Sequence, residues 1–125
     1  TAALRATPAP DAFAPIAVRR SAPGALCAVA SRSHADPDTE TFLARLGVAE
    51  RRSAGSSLKF CLVAEGEADV YPRFGPTMEW DTAAGHAVLA AAGGAVTTPD
   101  GAPFLYGKST EGFRNGAFVA WGARG

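Results

Sequence analysis

The sequence predicts an α/β fold, a mixed sheet flanked by helices, and three observations carry that expectation. Strand-like runs alternate with helical segments of roughly 10–14 residues, the pattern of a sheet with helices on its faces. Residues 25–30 (ALCAVA) are apolar without alternation, as in a strand buried on both sides. Helix ends are marked by local chemistry: Asp36-Pro37 opens one segment, and Gly47, Gly66 and Gly93-Gly94 close three.

Residues 1–14 are Ala/Pro-rich and lack periodicity, and the chain starts at Thr1 rather than methionine. The expectation is an irregular lead-in from a missing N-terminal half, followed by an α/β domain over 15–125; a processed terminus is the alternative. Residues 15–20 (PIAVRR) read as a short strand, 25–30 as the buried one and 31–35 as a polar turn. Asp36 caps a helix with Pro37 at its first position. Phe42, Leu43 and Leu46 share one side of it, and Gly47 stops it. Residues 50–54 form a further short strand. Ala54-Gly55-Ser56-Ser57 leads into a helix with Leu58, Cys61, Leu62 and Glu65 at helical spacing. Residues 68–74 (ADVYPRF) are strand-like, and Pro72 assigns them to an edge or a bend. After a turn at 75–77, Trp80-Asp81 opens a third helix, with a buried stripe expected at Ala84, Ala87, Val88 and Ala91. Strands at 96–98 and 118–121, with a turn at Pro99-Asp100-Gly101, complete the pattern.

Bulk properties exclude several classes. A chain of 125 residues suits one domain, and 47% hydrophobic residues suffice for a core. Twelve basic and twelve acidic residues cancel, which argues against a nucleic-acid tract or an anionic membrane surface as partner. Any anion must therefore be met by a local cluster. Cys27 and Cys61 lie in apolar runs and read as small core residues in a reducing compartment, and no zinc or redox spacing is present. No run approaches the roughly 20 apolar residues of a membrane span, and no apolar signal-peptide region is visible. A cytoplasmic location is the expectation.

The residues able to carry chemistry each admit two readings. Gly55-Ser56-Ser57-Leu58-Lys59 joins two hydroxyls, backbone N–H groups and an ammonium at a helix start. It can cradle a phosphate, or it is an ordinary serine N-cap with a solvated lysine. Asp81 can be a hard oxygen ligand for Mg²⁺, or a plain helix cap. His34 ends a turn after the buried strand, where ligands of such sheets gather, and is also a usual turn residue. Arg73 can meet a phosphate bidentately, or stay a surface cation. His86, one residue from the apolar stripe, reads as structural. Asp36-Pro37-Asp38-Thr39-Glu40 looks like a phosphatase metal motif, but its second Asp follows immediately and no glycine comes after, so it reads as a helix N-terminus.

Taken in order, these segments resemble a known family. Trp80-Asp81-Thr82-Ala83-Ala84-Gly85, followed by Ala91-Ala92-Gly93-Gly94, is similar to the W-D-x-A-A-G…E-A-G-G signature of the inositol monophosphatase superfamily. Residues 54–63 (AGSSLKFCLV), the run from Ser56 to Leu89 and the Ser-Arg-Ser-His turn ending at His34 resemble its 3'(2'),5'-bisphosphate nucleotidases of the CysQ type. The resemblance covers residues 15–121. It implies that Asp81 is a metal-binding and catalytic carboxylate for Mg²⁺. Ser56, Ser57 and Lys59 would cradle a phosphate, and His34 and Arg73 would touch the nucleotide or its second phosphate. In inositol-preferring members an acidic residue before the Trp-Asp pair meets sugar hydroxyls; Arg73 occupies that neighbourhood here, and Glu79 lies nearer the motif. The other metal ligands, a glutamate and the D-P-x-D-G-T aspartates, belong to an N-terminal half not found in this chain. The implied reaction is conversion of adenosine 3',5'-bisphosphate to AMP and phosphate in sulfur assimilation and nucleotide recycling. This chain would be an inactive fragment of that enzyme. An inositol-phosphate phosphatase and a non-catalytic nucleotide-binding or assembly module are the alternatives. The implied partners are a phosphorylated nucleotide and the N-terminal half, with a homodimer and peripheral association with the inner membrane also compatible.

Overall fold

The computed structural model describes residues 3–6, 13–22, 24–31, 36–55, 58–108, 110 and 112–123. Strands β1 (Ala3–Ala6) and β2 (Phe13–Ile16) pair antiparallel. This ladder ends where the expected strand over 15–20 was to begin. Residues 17–20 instead cross between other segments: Val18 N–H donates to Ala92 O (3.1 Å), and Ala123 N–H donates to Arg19 O (3.2 Å).

A five-stranded mixed sheet forms the centre. Its members are β3 (Cys27–Ser31), β4 (Glu50–Ala54), β5 (Val70–Arg73), β7 (Ala95–Thr97) and β9 (Phe118–Trp121), in the order β4-β3-β5-β9-β7. β3 runs parallel to β4 and β5, and β9 is antiparallel to β5 and β7. A short pair, β6 (Thr77–Met78) with β8 (Arg114–Asn115), stands beside it. Strand periodicity sorts the core into two layers. Cys27, Val29, Tyr71, Phe118 and Ala120 join one cluster, whereas Ala28, Val70 and Val119 join the other. The first is covered by α2 (Leu58–Ala64) and α3 (Glu79–Ala91), and the second by α1 (Pro37–Leu46). Phe60, Tyr71, Phe104 and Phe118 pack with ring centroids 5.2–5.6 Å apart at the heart of the first layer.

Helix α1 follows the sequence expectation throughout. The Asp36 carboxylate accepts from Asp38 N–H (3.1 Å) and from the Thr39 hydroxyl (3.2 Å). Gly47 adopts φ 73° and donates its N–H back to Leu43 and Ala44, a left-handed cap. The faces of the other two helices differ from expectation. α2 buries Lys59, Phe60, Val63 and Ala64, while of the residues noted at helical spacing Leu62 packs partly buried against the core and Leu58 is exposed. α3 buries Thr82, Gly85 and Leu89, while Ala84, Ala87 and Val88 are exposed and Ala91 is half-buried. Alanine has too little side chain to select a face. The choice is made by Gly85, where an added Cβ would sit 2.6 Å from Phe60 Cδ2. That notch lets α3 close onto α2.

Pro72 also departs from expectation, since β5 lies in the middle of the sheet. The strand tolerates it because the β3–β5 ladder is formed at Ala28↔Val70, and Pro72 comes two residues later. At the amino end of the same strands the Asp69 carboxylate is saturated. It accepts from Arg19 Nε (3.2 Å) and Nη2 (2.9 Å), the Ser21 hydroxyl (2.7 Å) and Cys27 N–H (2.8 Å).

Candidate active site

Strand order gives the site its position. From β3 the chain passes through α1 to β4 on one side, then through α2 to β5 on the other. Winding thus reverses between β3 and β5, and open α/β sheets bind ligands beyond the carboxyl ends of strands at such a point. A groove of about 540 Å³ opens there, lined by Ala30, Pro72, Arg73, Gly75 and the first turn of α1.

Two cations stand near this edge. Lys59, in the first turn of α2, is only 3% exposed, and its Nζ lies 5.3 Å from the Tyr71 ring centroid. Burial lowers the Lys59 pKa from the ordinary lysine value, and the charge of Arg73 lowers it further. Arg73 ends β5. Its Nη2 donates to Pro76 O (3.3 Å), and its Nε is buried without a hydrogen-bond partner among the described residues. A buried ammonium and a guanidinium with one buried N–H thus lie within each other's field, a setting in which a bound anion is favourable.

Tyr71 connects these cations to Asp81. Burial raises the Tyr71 pKa, Arg73 opposes the rise and Asp81 adds to it, so the ring stands within the field of both. Lys59 thus lies against Tyr71, and the charges of Arg73 and Asp81 both act on the Tyr71 hydroxyl. Asp81 is exposed in the first turn of α3, and its Oδ2 accepts from Met78 N–H (2.9 Å). A carboxylate at a helix N-terminus is favoured by the aligned peptide dipoles. It offers about four lone-pair positions, so one backbone bond leaves room for a hard cation. Among the described residues no three His, Cys, Asp or Glu side chains gather into a metal-binding group. Asp81 by itself offers the chemistry of a single hard-oxygen ligand. His34, Ser56 and Ser57 lie outside the described residues.

Residues without a sequence signal hold the start of α3. Glu79 Oε1 accepts from Gly107 N–H (3.0 Å), and its Oε2 accepts from Lys108 N–H (2.9 Å) and faces Lys108 Nζ at 3.0 Å. The Lys108 amide, working against burial and joined by the Gly107 amide and the Lys108 ammonium, holds Glu79 below the usual carboxylate range. That carboxylate is engaged in clamping a loop. Asn115, 4% exposed, donates through Nδ2 to Thr77 Oγ1 (3.0 Å), Met78 O (2.9 Å) and Thr82 Oγ1 (3.2 Å). Thr82 Oγ1 also accepts from the Tyr106 hydroxyl (3.3 Å), which lies 2.8 Å from His86 Nδ1. His86 is accordingly tied into the scaffold. No helix among the described residues is long and apolar enough to cross a membrane.

A sequence profile of the inositol monophosphatase family matches residues 8–120. The chain is 58% identical over 90 residues to the 3'(2'),5'-bisphosphate nucleotidase CysQ of Escherichia coli (strain K12), covering 72% of this chain and 36% of that protein. It is 57% identical over 88 residues to a protein of Rhizobium leguminosarum bv. phaseoli from the pss 5' region, covering 67% of this chain and 93% of that one. The crystal structure of CysQ from Bacteroides thetaiotaomicron, a bacterial member of the inositol monophosphatase family, matches with a TM-score of 0.73 and 49% identity, over 88% of this chain and 41% of that chain. This chain therefore spans well under half the length of either CysQ protein. A profile match across most of the sequence, joined to this agreement in fold, makes the protein a member of the inositol monophosphatase family.

Proposed function

We propose that this chain supplies the C-terminal side of the active site of a Mg²⁺-dependent phosphomonoesterase, acting on a 3'(2'),5'-bisphosphate nucleotide such as adenosine 3',5'-bisphosphate. The observation that supports the reading is Arg73, which lines the groove at the strand-order reversal with a buried Nε and whose charge is felt by the buried Lys59 on the neighbouring helix. A substrate with two phosphates suits two such cations. Lys59, with Ser56 and Ser57, binds one phosphate; Arg73 and His34 meet the nucleotide or its second phosphate. Asp81 serves as a metal ligand close to the scissile phosphate. Mg²⁺, when bound, activates water for in-line attack and offsets charge on the leaving oxygen. Tyr71 supports the Lys59 stem and excludes water beneath it. The remaining metal ligands come from an N-terminal half, so the isolated chain is inactive. The reading also assigns a cytoplasmic location and a role in nucleotide recycling during sulfur assimilation.

An inositol-phosphate phosphatase is the second reading. The engagement of Glu79 by Gly107 and Lys108 weighs against it, because that carboxylate is committed to the loop. The test is phosphate release by the full-length protein, with adenosine 3',5'-bisphosphate compared with inositol 1-phosphate. Preference for the bisphosphonucleotide is the expected result; preference for inositol 1-phosphate would reverse the order of the two readings. Release from neither, by protein containing the D-P-x-D-G-T motif, would favour a binding module.

A further inference from the structure

We propose that Asn115 is a positioning residue for Asp81, holding the turn that begins α3 in the geometry a divalent cation requires. The inference rests on the metal-ligand role proposed for Asp81. Its support is a chain of contacts around that turn. Asn115 lies opposite Thr77 in the β6–β8 ladder, so backbone pairing sets its place before any side chain acts. Its amide nitrogen then grips both flanks of Asp81, through Met78 O on one side and Thr82 Oγ1 on the other. Met78 is held at both ends. Its carbonyl accepts from Asn115, and its N–H donates to Asp81 Oδ2. The Asn115 carboxamide therefore holds, through its carbonyl, the residue whose N–H on the preceding peptide orients the carboxylate. This is the outer-shell arrangement that tunes metal ligands elsewhere.

The other end of the same side chain sharpens the assignment. Asn115 Oδ1 is buried and has no hydrogen-bond partner among the described residues. With that oxygen unengaged, the Nδ2 end is where the side chain makes its hydrogen bonds. Aspartate would set a carboxylate oxygen against Met78 O and forfeit the donor. Asparagine brings two N–H donors to the three acceptors within reach here, one hydrogen being shared, without adding negative charge next to Asp81.

The test uses the full-length protein and Mn²⁺ as a paramagnetic substitute for Mg²⁺, with free Mn²⁺ counted by electron paramagnetic resonance and no substrate present. Asn115→Ala is expected to weaken Mn²⁺ binding by about 10–100-fold, the range for outer-shell residues. At saturating Mg²⁺ the KM for the nucleotide should stay unchanged. Unchanged Mn²⁺ affinity together with a lowered Tm would reduce Asn115 to a structural role and overturn the proposal. Should Asn115→Ala fail to fold, Thr77→Val keeps Asn115 and removes one of its acceptors. A smaller weakening in the same direction is expected, and unchanged affinity overturns the proposal there too. Wild-type protein that binds no Mn²⁺ overturns both this inference and the role of Asp81. Wild-type protein that binds Mn²⁺ but leaves the bisphosphonucleotide intact overturns the nucleotidase reading alone.

Discussion

At the amino end of β3 and β5, Asp69 accepts hydrogen bonds from Arg19, Ser21 and Cys27. At the carboxyl end of β5, Arg73 keeps a buried Nε without a partner among the described residues, and Lys59 lies buried within its field. Both regions place charge against the same apolar sheet, yet the Asp69 carboxylate is fully engaged whereas the Arg73 Nε is not. A closed network stabilises the fold. An open one costs stability and is worth keeping where something else completes it.

The sharpest way to break this comparison is Asp81→Asn in the full-length enzyme. Asparagine retains an acceptor for Met78 N–H, so Tm should hardly move. The kcat and kcat/KM should fall together by about 10²–10³-fold, the scale of losing one electrostatic contact in the transition state. Equal losses of Tm and kcat would show that Asp81 belongs to the closed class.

Asp69→Ala tests the opposite end. It leaves the Cys27 N–H buried without its acceptor, while Arg19, 40% exposed at its side chain, largely rehydrates. A loss of about 2–3 kcal/mol in urea unfolding is expected, as for a stranded buried donor. The acid limb should change as well. Burial alone would raise the Asp69 pKa, but Arg19, the Cys27 amide and Ser21 outweigh it and hold the carboxyl below its ordinary value. The stability it contributes is fully present above the unfolded value of about 3.9 and is lost as pH falls through the lower folded value. Wild type and Asp69→Ala should therefore converge in stability at strongly acid pH. Curves that stay parallel would refute this linkage.

Lys59→Met sharpens the open end. It should raise KM by the equivalent of about 1.5–3 kcal/mol, the usual worth of a hydrogen bond to a charged group, and extra Mg²⁺ should not rescue it. The same variant should gain about 0.5–2 kcal/mol of stability without ligand, because burial and the charge of Arg73 both disfavour the ammonium. A variant that weakens binding and also destabilises the fold would place Lys59 with Asp69.

Local chemistry was legible in the sequence, and choices made by distant contact were not. The caps of α1 could be read because Asp36 and Gly47 act within a few residues of themselves. The buried faces of α2 and α3 could not, since both carry apolar residues all round and Gly85 decides the matter by admitting Phe60. Pro72 pointed to an edge because its pairing depends on where β3 stops following β5, a property of two strands. At the site, Lys59, Arg73 and Asp81 could be picked out by residue type and position. Tyr71 looked like one more strand aromatic, and Asn115 reaches Met78 across 37 residues, far beyond any local pattern.

Gly85 also gives α3 a mechanical character. The helix rests on Phe60 at a point that carries no side chain, one turn beyond Asp81. That point is a fulcrum at the middle of the helix, and the Asp81 carboxylate sits on its N-terminal arm. A methyl group there would have to displace an aromatic ring held among Tyr71 and Phe118, or else tilt the helix, and a tilt would be delivered straight to Asp81. A glycine remote from any reacting atom can thus set the tolerance to which the reacting atoms are aligned.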